Sequence, residues 1–284
     1  MGASAGGVEP FRRIVAALPA DFPASIFFVL HTSPDSPGVL PSIVARTASL
    51  QSQYPADGAR IERGHIYLAP PDYHLLVKNG SVRVLRGPKE NRHRPAIDPL
   101  FRTAARAYGS HVIGIVLSGV MDDGTAGLHA IKHHGGIAIV QEPKEAAYSQ
   151  MPSSALAHVD VDYVLPAAEI APVLMRLVGE PAAPSPPTTI GMEKEARIAE
   201  VDMDVLNDSD KPGNPSPFAC PDCNGVLWEI QEEGLDRFRC RVGHSYSSET
   251  ILAAKEDSVE TALWAALRAL EESAALARRS AERS

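Results

Sequence analysis

Residues 112–134 read VIGIVLSGVMDDGTAGLHAIKHH, and the order of residue types in this stretch decides the fold. The run VIGIVL (112–117) is continuously apolar and rich in β-branched residues, the pattern of a strand buried on both faces. A polar loop containing glycine follows, and residues 125–134 then show a one-sided helical pattern. Strand, loop and helix in that order make the repeating unit of a parallel sheet. Working outward, the unit recurs. Strands are expected at 26–30 (IFFVL), 65–68, 75–77 with 82–85, 137–140 and 163–165. Val8, Phe11, Ile14, Val15 and Leu18 recur at helical spacing with Pro10 in the first turn, and 99–108 is similar. Asn79-Gly80 marks a hairpin. The expected fold is α/β: a doubly wound, mostly parallel sheet in three layers, α/β/α.

The chain has 284 residues, 44% hydrophobic and 22% charged, room for one medium domain and an appendage. No apolar run approaches the roughly 18 residues of a membrane span, and the N-terminus lacks a signal pattern, so a cytoplasmic protein with no membrane insertion is expected. The net charge of −8 is uneven: residues 1–178 carry 16 basic against 15 acidic groups, residues 179–284 carry 11 against 20. Such acidity argues against a nucleic-acid partner, because phosphate binding needs clustered Lys and Arg. Residues 179–217 are Pro-rich at both ends and acidic between, which reads as a flexible linker. Residues 218–246 form a compact cysteine-bearing module. Residues 247–284 read as a helix with Val259, Leu263, Leu267, Leu270 and Ala274 on one stripe, docked on its own protein or paired with another helix.

Gly2-Ala3-Ser4-Ala5-Gly6-Gly7 sets a serine among small residues just before a helix, where a substrate carbonyl can approach and backbone N–H groups lie close. Glycine loops of this kind also bind phosphate or simply turn the chain. The strands add position. His31 directly follows the 26–30 strand and Asp123 follows the 112–117 strand. In an open α/β sheet sites form at the carboxyl ends of strands, so Ser4, His31 and Asp123 can converge as nucleophile, base and orienting acid.

The stretch 2–7, the strand ending in His31, residues 64–71 (GHIYLAPP) with Tyr73-His74, residues 94–101 (RPAIDPLF), residues 117–128 (LSGVMDDGTAGL) and Met151-Pro152 closely resemble, in order, the catalytic domain of the bacterial chemotaxis protein-glutamate methylesterases. The resemblance spans residues 1–178. It implies hydrolysis of glutamate γ-methyl esters on methylated chemoreceptor-type proteins, with glutamine deamidation as a second activity. It implies the roles above for Ser4, His31 and Asp123, and an oxyanion hole from the backbone N–H groups of Val120 and Ala5. Two positions depart from the family pattern: Met121 stands where glycine is usual, and Leu30 where glutamine usually precedes the histidine. Members carry a buried strand before the serine, and only Met1, Gly2 and Ala3 precede Ser4, so the first strand is expected to be missing. No receiver domain is seen, so control by aspartyl phosphorylation in cis is not expected.

Other residues have plainer meanings. Asp122-Asp123 could be metal ligands with a histidine, but a solvated loop pair is the commoner meaning. His129 and His133, four apart on a helix, read as a surface pair, and His65 and His74 receive no role. Arg83, Arg86, Lys89, Arg92, Arg94, Arg102 and Arg106 face only Glu90 and Asp98 in sequence. They form either a solvated face or a surface that steers acidic receptor helices, in which case salt weakens substrate affinity.

Cys220-Pro-Asp-Cys223, then sixteen residues, then Cys240-Arg-Val-Gly-His244 supplies four ligands in two short knuckles, the pattern of tetrahedral Zn²⁺ in a segment too small to fold without one. The closed set Cys220, Cys223, Cys240 and His244 points to a structural zinc ribbon. No cofactor is expected in the chemistry itself. Ribbons also bind nucleic acid, but Asp222, Glu229, Glu232, Glu233 and Asp236 favour a protein contact, either with the esterase domain or with a receptor or signalling partner. The expectation is therefore a serine esterase carrying a zinc module. The alternative is a catalytically inactive scaffold that works through the ribbon and helix.

Overall fold

The strands that read as continuously apolar lie in the middle layer, with helices on both sides. The computed structural model describes residues 1–207, 213–232 and 234–283. Its first part runs β1 (Gly2–Ala3), α1 (Val8–Ala16), β2 (Ile26–Leu30), α2 (Leu40–Ala45), β3 (Gln51–Gln53), β4 (His65–Leu68), β5 (His74–Lys78), β6 (Ser81–Leu85), α3 (Ile97–Tyr108), β7 (Ile113–Val116), α4 (Thr125–His133), β8 (Ile137–Gln141), α5 (Gln150–His158), β9 (Tyr163–Leu165) and α6 (Ala167–Leu177). The remainder is α7 (Ile190–Ala199), α8 (Met203–Asn207), β10 (Asn214–Ala219), β11 (Val226–Glu232), β12 (Leu235–Cys240), β13 (Ser245–Ser247) and α9 (Ser248–Ala281).

The central sheet has the order β3-β4-β2-β1-β7-β8-β9, and every pairing in it is parallel. Alternate residues of one strand enter opposite cores. Phe28, Ile115, Leu117 and Ile139 pack with Phe11, Ile14 and Leu174 on one face, and Val29, Val116 and Val140 pack with Leu100, Phe101 and Leu128 on the other. This is the expected doubly wound α/β fold. Antiparallel β5 and β6 form the Asn79-Gly80 hairpin, and β10 to β13 form a separate antiparallel sheet. No helix among the described residues is long and apolar enough to cross a membrane.

The strand expected to be missing is present in abbreviated form. Gly2 and Ala3 pair with Val29 and Leu30 on one side and Val116 on the other, at the centre of the sheet. Near the start of β2 and β7 lies a cavity of about 420 Å³, lined among others by Met1, Phe27, Leu100, Phe101 and Ile115. The Met1 ammonium donates to the Phe27 carbonyl at 2.7 Å, and burial lowers its pKa to about 5.

The expected flexible linker holds α7, so that expectation is corrected; residues 208–212 lie outside the described ones. Thr189 caps α7 by accepting from the Met192 N–H, and Glu195, Ala196, Ile198 and Ala199 are buried. The acids that looked solvating are partners for bases elsewhere. Arg106 meets Glu193 and Glu200. Arg102 of α3 holds Glu90 at 2.7 Å, and Glu195 holds Arg239 at 2.7 Å and Arg237 at 2.9 Å. Arg239 also reaches Glu90 at 3.4 Å, and all five side chains are at most 5% exposed. Breaking one member of a buried ion group leaves an uncompensated charge, worth about 3–5 kcal/mol. Glu195→Ala is therefore expected to cost about that much, read as a lower urea midpoint or early cleavage near α7.

Candidate active site

Each proposed catalytic residue ends a different strand. Ser4 follows β1, His31 follows β2, and Asp123 lies beyond β7, the other neighbour of β1. The register Ala3↔Leu30 sets Ser4 beside His31, about 5 Å apart between backbones. His31 Nε2 lies 2.7 Å from Asp123 Oδ2, and both side chains are almost fully buried. The other ring nitrogen, Nδ1, is buried with no hydrogen-bond partner. Ser4 Oγ has no partner among the described residues either, so the structure joins His31 to Asp123 by a hydrogen bond and places Ser4 next to them without one.

Asp123 is held from several directions. The N-terminus of α3 offers it the backbone N–H groups of Ile97 at 2.7 Å and Asp98 at 3.3 Å, and Asn91 Nδ2 donates to it at 3.0 Å. Burial alone would raise its pKa, but the hydrogen bond and charge of His31, with the Ile97 and Asn91 donors, outweigh it and hold the carboxyl well below the usual range. Asp98 goes the other way. Burial and the negative charge of Asp123 push it up to about 8, against the pull of Arg102 and Arg237 and the Gly127 N–H. His93, whose ring stacks on His31 at 3.7 Å, is lowered to about 4 by burial and by His31.

The loop after β7 fixes the turn that carries Ser4. Ser4 N–H donates to the Ser118 carbonyl at 3.0 Å, and Ser118 Oγ donates to the Ala5 carbonyl at 2.8 Å. Gly119 N–H goes to the Tyr148 carbonyl and Met121 N–H to Gln150 Oε1, whereas Val120 N–H and Ala5 N–H have no acceptor among the described residues. Met121 has φ 63°, in the left-handed region that glycine occupies without strain, which explains why glycine suits this position. A Cβ on Gly119 would stand 2.0 Å from Met151 Sδ and 2.9 Å from Ser4 Cβ, so only glycine lets this loop approach the serine.

Asn91, His93, Asp98 and Gly119 were not singled out in the sequence. Asp98 lies in the RPAIDPLF block and Gly119 in the LSGVMDDGTAGL block, the signals that pointed to them; nothing local marked Asn91 or His93. Of the basic residues read as a solvated face or a steering surface, Arg83 pairs with Asp57, Arg86 and Arg94 with Asp72, Lys89 with Asp222, Arg92 with Asp257, Arg102 with Glu90 and Arg106 with Glu193 and Glu200. His74 is buried between the Pro88 carbonyl and the Ala96 N–H. Asp122 accepts from Ser247 Oγ at 2.9 Å rather than facing a histidine.

In the cysteine-bearing sheet, one ligand atom from each of Cys220, Cys223, Cys240 and His244 lies within 4.8 Å of every other. Cys223 Sγ to Cys240 Sγ is 3.7 Å, Cys220 Sγ to His244 Nδ1 is 3.7 Å and Cys240 Sγ to His244 Nδ1 is 3.5 Å. Those are the edges of a tetrahedron with a centre about 2.3 Å from each sulfur, the Zn–S length, and far too long for a disulfide. The set fits Zn²⁺. Of the acidic neighbours, Glu233 lies outside the described residues.

Residues 1–174 match the family described as CheB methylesterase. A Leptospira interrogans protein named "Putative protein-glutamate methylesterase/protein-glutamine glutaminase" is 38% identical over 178 residues, 62% of this chain and 92% of that one. The Thermotoga maritima protein-glutamate methylesterase/protein-glutamine glutaminase is 35% identical over 182 residues, 63% of this chain and 53% of that protein, so this chain spans about half of its length. The crystal structure of the Thermotoga maritima CheB methylesterase catalytic domain superposes with a TM-score of 0.59 at 34% identity, covering 62% of this chain and 95% of that one. The seven-stranded parallel sheet with a polar site at the carboxyl ends of its central strands, taken with these matches, places the chain among α/β enzymes of the methylesterase type. The chain belongs to the CheB methylesterase family.

The raised Asp98 carboxyl has a consequence for stability. It ionises near pH 4 when unfolded and about 8 when folded, so its contribution is complete below about pH 4 and is lost as pH rises through about 8. Asp98→Asn is expected to flatten the dependence of unfolding free energy on pH across that window, measured by urea denaturation at several pH values.

Proposed function

We propose that this chain is a serine esterase that hydrolyses glutamate γ-methyl esters on chemoreceptor-type proteins, with Ser4 as nucleophile, His31 as base and Asp123 as orienting acid. The observation that carries this reading is the His31–Asp123 hydrogen bond beside Ser4, with Nδ1 buried and unpartnered. Ionised Asp123 requires the proton of the neutral imidazole on Nε2, which leaves the Nδ1 lone pair as the base. Rotation of the Ser4 hydroxyl to Nδ1 lets it pass its proton there as Oγ attacks the γ-carboxyl carbon. The oxyanion of the tetrahedral intermediate is then held by the Val120 and Ala5 N–H groups and the N-terminal end of α1, donors of the kind worth about 2.7–4 kcal/mol each. Collapse expels methanol, which takes the proton from His31. Water, activated by the same imidazole, releases the free glutamate from the acyl-enzyme. A γ-carboxamide in the same position would yield ammonia, the glutaminase reaction that the relatives' names include.

Cys220, Cys223, Cys240 and His244 are proposed to hold a structural Zn²⁺, which would clip the two knuckles of the β10–β13 sheet and take no part in the ester chemistry. The backbone supports this: Asn224 N–H donates to the Cys220 carbonyl and Gly243 N–H to the Cys240 carbonyl, closing a tight turn at each knuckle.

Ser4→Ala removes the attacking oxygen and almost no buried volume. Methanol release from a methylated receptor fragment should fall by about 10⁴-fold or more with an unchanged melting curve. Full activity in that variant overturns the nucleophile assignment, and no methanol release from the unaltered chain leaves the scaffold reading. Elemental analysis should find one zinc per chain, lost in Cys223→Ser together with the near-ultraviolet signal of Trp228; a metal-free chain with an intact signal overturns the zinc assignment.

A further inference from the structure

The zinc-binding sheet and α9 do more than sit beside the esterase site: they touch the residues that hold its carboxylate. Asn91 is 4% exposed and is the point of contact. Its Nδ2 donates to Asp123 Oδ1 at 3.0 Å and to Asp98 Oδ2 at 2.8 Å. Its Oδ1 accepts from the Ser247 N–H at 3.1 Å and from Thr250 Oγ1 at 3.3 Å, the cap residue and first turn of α9. The backbone repeats the contact, with Asn91 N–H donating to the Ser245 carbonyl at 2.8 Å and Ser245 N–H to the Lys89 carbonyl at 3.2 Å. Asn91 also has φ 49°, a left-handed conformation that asparagine tolerates better than most residues.

A primary amide has two chemically opposite ends, and this one faces acceptors on one side and donors on the other. Reversed, it would aim its oxygen at two carboxyl groups and its NH₂ at the Ser247 N–H. The orientation that serves Asp123 is thus selected by groups that belong to the C-terminal module. Ser247 Oγ makes a second contact, to Asp122 Oδ1. The titratable and charged groups around this point are Asp98 and Asp123 with Arg102 and Arg237 facing Asp98, His31, His74 and His93 beyond them with Arg92 and Lys89 near His93, Glu90 beside Asn91, and Asp122 and Glu249 beside the start of α9.

We infer that Asn91 is a positioning residue for the catalytic carboxylate and that Ser247 and Thr250 of α9 set its orientation, so that the C-terminal module is a working wall of the esterase site. The inference rests on the Ser4, His31 and Asp123 assignment. Asn91 shares the charge of Asp123 with the backbone of α3. Without it, more of that charge falls on the imidazole and stabilises its protonated form.

The test uses the full chain. Asn91→Leu should lower kcat/KM for methanol release by about 10- to 100-fold through kcat, with KM unchanged, and move the acid limb of the kcat/KM profile to higher pH. Thr250→Val lies outside the reacting groups and removes one donor to Asn91. It should lower kcat by about 3- to 10-fold and move the same limb the same way, while Thr250→Ser, which keeps the hydroxyl, restores both. A loss of melting temperature in Thr250→Val with an unmoved acid limb and unchanged kcat overturns the inference, because a purely structural cap would behave so. If Asn91→Leu does not fold, the Thr250 pair decides alone. Activity retained in Ser4→Ala would overturn the underlying assignment instead, which keeps the two failures distinct.

Discussion

Two buried carboxylates, Glu90 and Glu195, lie among three buried guanidinium groups, Arg102, Arg237 and Arg239, and the arrangement of the whole chain depends on that cluster. The five residues come from the loop before α3, α3 itself, α7 and β12, so no single segment can leave without stranding charge in a low-dielectric interior. Glu90 is held ionised because, although burial opposes it, Arg102, Arg239 and Arg237 outweigh burial together. Fixing Glu90 fixes the next residue, Asn91, and with it the contact between α9 and Asp123. Stability and site geometry thus share one set of ions.

Inside the site the same economy of charge appears in two neighbouring carboxyl groups. Asp98 and Asp123 both receive Asn91 Nδ2, yet one is driven toward the neutral form and the other toward the ionised form. Two buried negative charges this close would repel strongly, so one of them keeps its proton. Asp123 wins the charge because it alone faces both the His31 ring and the first N–H of α3. Asp98 accepts from the Gly124 and Gly127 N–H groups and anchors the start of α4 behind the loop that carries Asp123. A helix N-terminus and an imidazole together decide which of the two acids carries the charge.

Much of this was legible in the sequence because it depends on local patterns. IFFVL and VIGIVL announced doubly buried strands, and a serine, a histidine and an aspartate following strands announced a rim where they meet. The two cysteine-bearing knuckles were visible from spacing alone. What was hidden depends on contacts between distant residues. β3 is Gln-Ser-Gln, an edge strand with no apolar run to signal it. β1 has two residues, too few for any periodicity. The acidic segment before the cysteines looked solvated because its partners, Arg106, Arg237 and Arg239, lie far away in the chain. Only the first turns of α9 are buried, at Thr250, Ile251 and Ala254, while Leu263, Leu267 and Leu270 are exposed, so the stripe expected to dock largely does not.

The uneven distribution of charge along the chain limits how its parts can be exchanged. The family match ends at residue 174, within α6, and the Leptospira relative covers 62% of this chain, so a joint near the end of α6 is the natural place to divide it. A graft made at that joint would separate Glu90 and Arg102 from their three distant counterparts, and would leave Arg92 and Arg106 facing water instead of Asp257, Glu193 and Glu200. A portion borrowed from a relative would accept this C-terminal portion only if it brought a matching acid and arginine to the seam.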